Sequence, residues 1–531
     1  MLMTFLARYK FLLLIPSLLL AVGGLVAYNL SQSPRDANGK SPCRFCSSCC
    51  DAPSRSQLSF TAAQNSDAAA TLNPDVATFA GTAARNMANT SAKGIPTEWD
   101  KKSKKNIKWI ADLGSVSYGG PVISGGIVYV GTNNKKPRDP AVKGIKAVLM
   151  AFSEADGTFL WQNVHDIPTE LSEIRNGDLG QLGTPTVEGD LLWYVTPGAE
   201  VHCADAKTGK KIWSLDMHKE LKVHPFHCSN CSPAVLGDLL FLVTGNGADE
   251  DGSSVPEPKA PSFLALNKKT GKIAWKSDAP GDNILEGQWS NPAIAVIAGK
   301  PQVIFPGGDA YLYSFEPETG KLLWKFNCAP EQKKGDNPIS YMIGSPTVYK
   351  DRIYVGLGIY PDHASPPRST YVVCVDATKE GDVSPKNLDA KDPKNKDSAL
   401  VWAFGGKINP PPKITERQVY FGPTMSTCAI ADDLLYISEM AGYLHCLDAK
   451  TGQRHWVFDL KGAVWGSPYL ADGRVYMVNE DGYFYIFKHA KEMSEPQEVE
   501  MDELIQNTPV VANNVLYMMT KNKLYAIAQG K

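Results

Sequence analysis

Lys207-Thr-Gly209-Lys-Lys-Ile-Trp213 is one of five copies of a single phrase in this 531-residue chain. The others are Ala155-Asp-Gly157-Thr-Phe-Leu-Trp161, Lys269-Thr-Gly271-Lys-Ile-Ala-Trp275, Glu318-Thr-Gly320-Lys-Leu-Leu-Trp324 and Lys450-Thr-Gly452-Gln-Arg-His-Trp456. The Trp always falls four residues after the Gly. Short apolar runs stand before the turn and often end in Asp or Asn, as in Val201-His-Cys-Ala-Asp205 and Phe263-Leu-Ala-Leu-Asn267. Such runs read as strands. Asp or Asn accepts backbone N–H bonds and opens a turn. Gly takes the positive φ that closes a bulged hairpin. The next strand then carries Trp at a fixed phase, so every copy aims it at the same side. A large ring repeated in one orientation fits a dock between neighbouring repeats, where each can bury on the order of 150–250 Å².

A second pattern counts the units. Pro121, Pro185, Pro233, Pro292, Pro346, Pro423, Pro468 and Pro509 each lead into an apolar or β-branched run, and most follow Gly, Ser, Thr or Asn. Pro donates nothing to a ladder and belongs at the start of a strand. Eight such starts predict eight four-stranded blades, or seven if one unit is degenerate. The last unit ends at Leu524-Tyr-Ala-Ile527, before any Gly-to-Trp strand. Lys105-Asn-Ile-Lys-Trp109 supplies an outer strand with its Trp and no turn before it, so an N-terminal strand is expected to close the ring. Trp402 is reached through a long insertion. The docking set is therefore Trp109, Trp161, Trp213, Trp275, Trp324, Trp402 and Trp456. The insertions 133–145, 248–261 and 378–398 are rich in Pro, Lys and Asp and read as surface loops suited to partner contact.

Residues 95–531 thus read as an all-β, eight-bladed propeller. Hydrophobic content of 43% and charged content of 21% suit a globular chain, and a net charge of −2 gives no electrostatic footing for nucleic acid. Residues 1–30 carry Arg8 and Lys10 ahead of the apolar run Phe11–Ala27, the pattern of a signal anchor or a cleavable signal peptide. Either puts the rest of the chain on the exported, periplasmic side, with the anchor placing it at the membrane. Residues 31–94 are rich in Ser, Ala, Asn and Asp and read as a flexible tether. Its Cys43, Cys46, Cys49 and Cys50 can bind metal, form disulfides or stay reactive thiols.

The Asp-x-x-Thr-Gly-Lys-x-x-Trp phrase resembles the pyrroloquinoline-quinone (PQQ) type repeat, and the likeness runs through nearly all of the chain after about residue 100. The superfamily implies two kinds of function. One is that of the quinoprotein alcohol dehydrogenases, eight-bladed enzymes using PQQ and calcium. The other is that of BamB-like propellers, which hold partner proteins in outer-membrane assembly. Thr244-Gly245-Asn246 looks like the dehydrogenase turn whose Asn ligates calcium, and Gly198-Ala199-Glu200 is similar to a second ligand loop. Three departures count against the enzyme. Asn283-Ile-Leu-Glu286-Gly-Gln-Trp289 has no Asp beside its Trp, where the family has its catalytic Asp. His227-Cys228-Ser-Asn-Cys231 stands where a quinone-flooring Trp is expected. The adjacent Cys49-Cys50 pair lies in the tether and not in the propeller.

His224, His227, Cys228 and Cys231 lie within eight residues. They offer the donors of a tetrahedral zinc site, although a Cys228–Cys231 disulfide or simple burial is the commoner outcome. Cys203, Cys374 and Cys446 fall in third strands, where core packing suffices. The reading is a non-catalytic, membrane-tethered scaffold for envelope proteins or ligands, with no cofactor and no catalytic residue. The alternative is a PQQ- and calcium-dependent oxidoreductase using Asn246 and Glu200.

Overall fold

The computed structural model describes residues 75–115, 118–168, 179–332, 340–358, 370–406 and 421–530. They form eight sheets, each with a four-stranded antiparallel core. The second blade is typical: Thr186–Glu188, Leu191–Val195, Glu200–Asp205 and Lys211–Asp216, running from the axis outward. The eighth blade takes Val510–Ala512, Val515–Met519 and Lys523–Ile527 from the C-terminal end and Ile107–Asp112 from the N-terminal side. The ring is therefore closed by the expected strand, and the seven-bladed alternative falls. The middle strands, such as Leu239–Val243 and Phe263–Asn267, are almost wholly buried.

The repeated turn works as its residues dictate. Asp205 Oδ1 accepts from the Thr208 N–H at 2.8 Å and from its hydroxyl at 2.7 Å. Asn267 and Asp448 do the same for Thr270 and Thr451. A register shift precedes the Trp on each outer strand that carries one, as between Lys211 and Trp213, and re-aims the ring. That ring then lies on the Gly of the next blade: Trp109 on Gly157, Trp161 on Gly209, Trp213 on Gly271, Trp275 on Gly320 and Trp402 on Gly452. Most of these indoles also donate to the next blade's turn, Trp109 to the Glu154 carbonyl at 2.9 Å and Trp275 to that of Pro317 at 2.8 Å. Trp456 donates to Ala490 at 3.1 Å. Trp324 differs, because its Nε1–H donates to Gln302 of its own blade at 2.9 Å. The insertion after blade five's third strand covers it, with Gly381–Asp382 pairing in parallel against Trp324 and Lys325. The 378–398 loop is thus built into the wall: Asn395 is buried and holds its backbone together.

The small polar residue two positions before the inner strand in blades two to eight also has a task. The Thr184 N–H donates to Ser232, the Ser232 N–H to Asn291, and the Asn291 amide to Ser345, at 3.0, 2.6 and 2.9 Å. The Ser345 N–H donates to Thr427, the Thr427 N–H to Ser467, and the Ser467 N–H to Thr508, at 3.0, 2.9 and 2.8 Å. This belt stitches blade two through to blade eight around the axis. It corrects the sixth start. Cys428, and not Pro423, holds the position before the inner strand Ala429–Ala431. Pro423 belongs to the approach loop, where its carbonyl accepts from Met440.

Antiparallel blades put three connections on one face: the entry to the inner strand, the loop between second and third strands, and the exit from the outer strand. Insertions 133–145 and 248–261 join second to third strands and share the face of the belt. Insertion 378–398 joins a third strand to a fourth and lies on the other face. Residues 75–94, expected in the tether, are packed into the propeller, with Val76, Ala80, Arg85 and Met87 buried. The expected anchor over 1–30 and the tether cysteines lie outside the described residues. Among the described residues no helix is long and apolar enough to cross a membrane.

Gly271→Ala should destabilise the propeller by about 2–4 kcal/mol. Roughly 1–2 kcal/mol comes from placing an L side chain at φ +71°, and the rest from a Cβ 2.7 Å from the Trp213 ring. Gly473→Ala, at φ +66° with no atom within 4 Å of the added carbon, should lose only the first part. Denaturant midpoints compare them. Equal losses would deny the Trp–Gly contact its role.

Candidate functional site

The residues at the mouths of the inner strands converge on the axis and enclose a funnel with a cavity of about 190 Å³. Its wall is aromatic and apolar in one layer and hydroxyl-lined in the next. Tyr118 and Trp465 face each other with ring centres 5.9 Å apart. The Trp465 Nε1–H donates to Glu480 at 3.0 Å, and Gln506 holds the other carboxylate oxygen at 3.1 Å. Across the funnel, Trp289 donates to the carbonyls of Phe226 and Cys228 at 3.3 and 3.1 Å. His227 stacks on Phe226 with centres 4.1 Å apart. Below them lies the belt, from Thr184 and Ser232 round to Thr508.

Phe79 lines the funnel too, and it belongs to a segment that crosses the ring. The Val76, Ala77, Ala83, Ala84 and Met87 carbonyls accept from Ile123, Val187, Ile294, Val348 and Leu470, on the inner strands of blades one, two, four, five and seven. Asn86 exchanges two bonds of 2.9 Å with Ile430 of blade six, and Asn89 donates to Val511 of blade eight at 2.8 Å. Blade three is met by Arg85. Its guanidinium is fully buried and spends all five N–H groups on neutral oxygens: the Pro292, Ser232, Pro233 and Phe79 carbonyls and the Thr78 hydroxyl, at 2.8–3.1 Å. Burial pulls its pKa down to about 10, which leaves it charged at neutral pH. Residues 75–89 therefore touch all eight blades and plug the axis. The funnel is a blind recess.

The residues suggested for calcium and quinone do not assemble around it. Asn246 is fully buried. Its Oδ1 accepts from the His224 N–H at 3.0 Å, and its Nδ2 donates to the Glu257 carbonyl at 3.0 Å, so both ends of the amide are fixed by backbone. A calcium ligand needs its oxygen aimed at the ion among several others. Glu200 instead bonds His202 at 2.8 Å, and neither Asn246 nor Glu200 lines the funnel. Glu286, the acid of the stretch before Trp289, accepts from the Tyr341 hydroxyl at 2.6 Å. These residues do not fit a calcium–quinone centre.

The local string His224–Cys231 is not gathered around a point either. Cys228 and Cys231 are both buried and no disulfide joins them, so of the two commoner outcomes simple burial is the one found. The Cys231 sulfur accepts from the Val243 N–H at 3.3 Å, and burial pushes its pKa up to about 12. His227 and Cys228 face the funnel instead. Cys203, Cys374 and Cys446 are buried free thiols in third strands. What the sequence reading missed is Phe79, Arg85, Tyr118 and Trp465. The apolar spacing of Val76, Phe79 and Met87 inside a polar stretch was the available signal for the plug.

The family described as outer membrane protein assembly factor BamB matches residues 145–390 and 368–531, and the chain belongs to it. Quinoprotein alcohol dehydrogenase PedH of Pseudomonas putida is 27% identical over 151 residues, 27% of this chain and 22% of that protein. The dehydrogenase subunit of the quinone alcohol dehydrogenase of Komagataeibacter europaeus is 30% identical over 166 residues, 29% of this chain and 20% of that protein. The chain thus spans about a fifth of the length of these curated relatives. BamB from Moraxella catarrhalis has the same fold, with a TM-score of 0.50 at 13% identity, over 80% of this chain and 98% of that one.

Removing the guanidinium should loosen the plug while the ring persists. Arg85→Leu leaves four carbonyls without their donor and should cost about 3 kcal/mol. Arg85→Lys should recover only part of this, since an ammonium lacks the planar fork. Chymotryptic cleavage at Phe79 reports release, and cleavage as slow as in the unaltered protein would refute it.

Proposed function

We propose that this family member is a non-catalytic, membrane-tethered propeller of the cell envelope that holds partner proteins, in line with the assembly role in its family's name. The observation that carries the reading is the blind, aromatic-walled funnel. A cavity of about 190 Å³ takes one or two apolar side chains of a partner. Buried aromatic anchors of the Tyr118, Trp289 and Trp465 kind supply most of the energy of such contacts. Insertions 133–145 and 248–261, on the same face, supply the polar rim. The plug is compatible with the same reading: residues 75–89 cross the axis, so an anchor ahead of them would keep a partner held in the funnel near the membrane.

A PQQ- and calcium-dependent oxidoreductase is the second reading, favoured by the likeness to PedH over 151 residues. The bound state of the Asn246 amide speaks against it.

Two measurements separate these readings. A photo-crosslinking residue at Tyr118 or Trp465 should trap envelope proteins in cells, while one at Lys321, in a turn on the opposite face, should not. Equal labelling from both faces would overturn the funnel as the docking site. Calorimetric titration with PQQ and calcium should give no saturable heat. One-to-one binding that disappears in Asn246→Ala would replace the scaffold with the dehydrogenase.

A further inference from the structure

We infer that His165, Glu200 and His202 form a site for a divalent transition-metal ion of the zinc class, seated between blades one and two. The three come from two places in the chain. His165 lies near the end of blade one's outer strand Phe159–Asp166, and Glu200 and His202 open blade two's third strand Glu200–Asp205. Two residues apart on a strand, Glu200 and His202 project from the same face of the sheet. Blade docking brings the His165 ring against His202, with ring centres 4.4 Å apart. One donor atom from each of the three lies within 4.8 Å of the others. Ligands on bonds of about 2.0–2.1 Å around a tetrahedral ion sit roughly 3.3 Å apart, so small side-chain rotations close the site.

A Glu–His hydrogen bond alone accounts for the 2.8 Å contact of Glu200 with His202. It does not account for a second imidazole packed on the first. Nor does it account for the frame that orients that ring. The Tyr194 hydroxyl bonds His165 Nε2 at 2.8 Å, and Asn163 donates to that hydroxyl at 3.2 Å and to the Gly209 carbonyl at 3.0 Å. Tyr194 also stacks on His202, with centres 5.2 Å apart. Outer partners of this kind fix the rings of metal-binding histidines.

The donor set selects the ion. Two imidazoles and one carboxylate suit zinc and its neighbours, whereas calcium and magnesium prefer oxygen alone. Asn246 takes no part, which separates this site from the calcium centre that the dehydrogenase resemblance implies. The Glu200 side chain is 38% exposed, and that of His202 only 9%. Solvent therefore reaches the carboxylate side, and three protein ligands leave a fourth position there for water or a ligand from a partner.

The experiment uses the full chain with Cys43, Cys46, Cys49 and Cys50 changed to serine, which removes the tether thiols as competitors. Zn²⁺ is titrated against a chromophoric chelator. One Zn²⁺ per chain is expected, and it should raise the melting temperature. Glu200→Gln should weaken binding by about tenfold or more and remove most of that rise, and His165→Gln and His202→Gln should weaken it further. Co²⁺ in the site should show visible d–d bands without the ultraviolet charge-transfer band of thiolate ligation. If either histidine variant fails to fold, the half-exposed Glu200→Gln decides. Absence of binding at high micromolar Zn²⁺, unchanged affinity in Glu200→Gln, or a thiolate band with Co²⁺ would each overturn the site.

Discussion

The contact on which the propeller depends is a Trp face laid on a neighbour's glycine. The glycine is needed twice over. Its positive φ closes the hairpin, and its missing Cβ leaves room for the ring, which in Trp213 would lie 2.7 Å from an added carbon on Gly271. Because the bulge before each Trp turns it outward, one blade cannot bury this ring alone. The dock therefore makes most blades require the next, and a closed ring lets the Trp of the N-terminal strand find its partner too. The strand Ile107–Asp112 completes the eighth blade for that reason.

Near the axis a different force holds the ring. The inner strands begin with a Pro in most blades, and Pro offers no N–H to bind the neighbour. The residue before it takes over, passing its backbone N–H or its side chain to the next blade's small polar group. Trp docks near the rim and hydroxyls near the axis divide the labour between dispersion and hydrogen bonding. The plug is a third layer. A single buried guanidinium, with no carboxylate among its partners, ties blades three and four to the crossing segment through carbonyls alone. It turns an axial channel into a recess with a floor.

This arrangement also explains the division of the surface. Everything on the mouth face is brought together by convergence: the aromatic wall, two of the three long insertions, and the His165–Glu200–His202 group. The opposite face carries the tight turns, whose geometry is already committed to the Trp docks. Variation is tolerated where the chain is not engaged in closure, and binding surfaces are drawn from there.

The repeat itself, read as Gly to Trp with a Pro at each strand start, determined the propeller, its count of eight and the strand that closes it, because turn chemistry and strand phase are local properties. The Pro423 misreading shows the limit of that locality: a Pro in an approach loop looks like a Pro at a strand start, and only pairing places Cys428 there. The insertion 378–398 reads as a free loop, yet it lies against Trp324 and adds a strand. Residues 75–94 look like a solvated tether because their few apolar side chains are dispersed, and the ring interior that receives them is made by all eight blades. His165 is distant in sequence from Glu200 and His202, and no local pattern joins them. Blade docking brings them together, which is why the site had to wait for the tertiary structure while the fold did not.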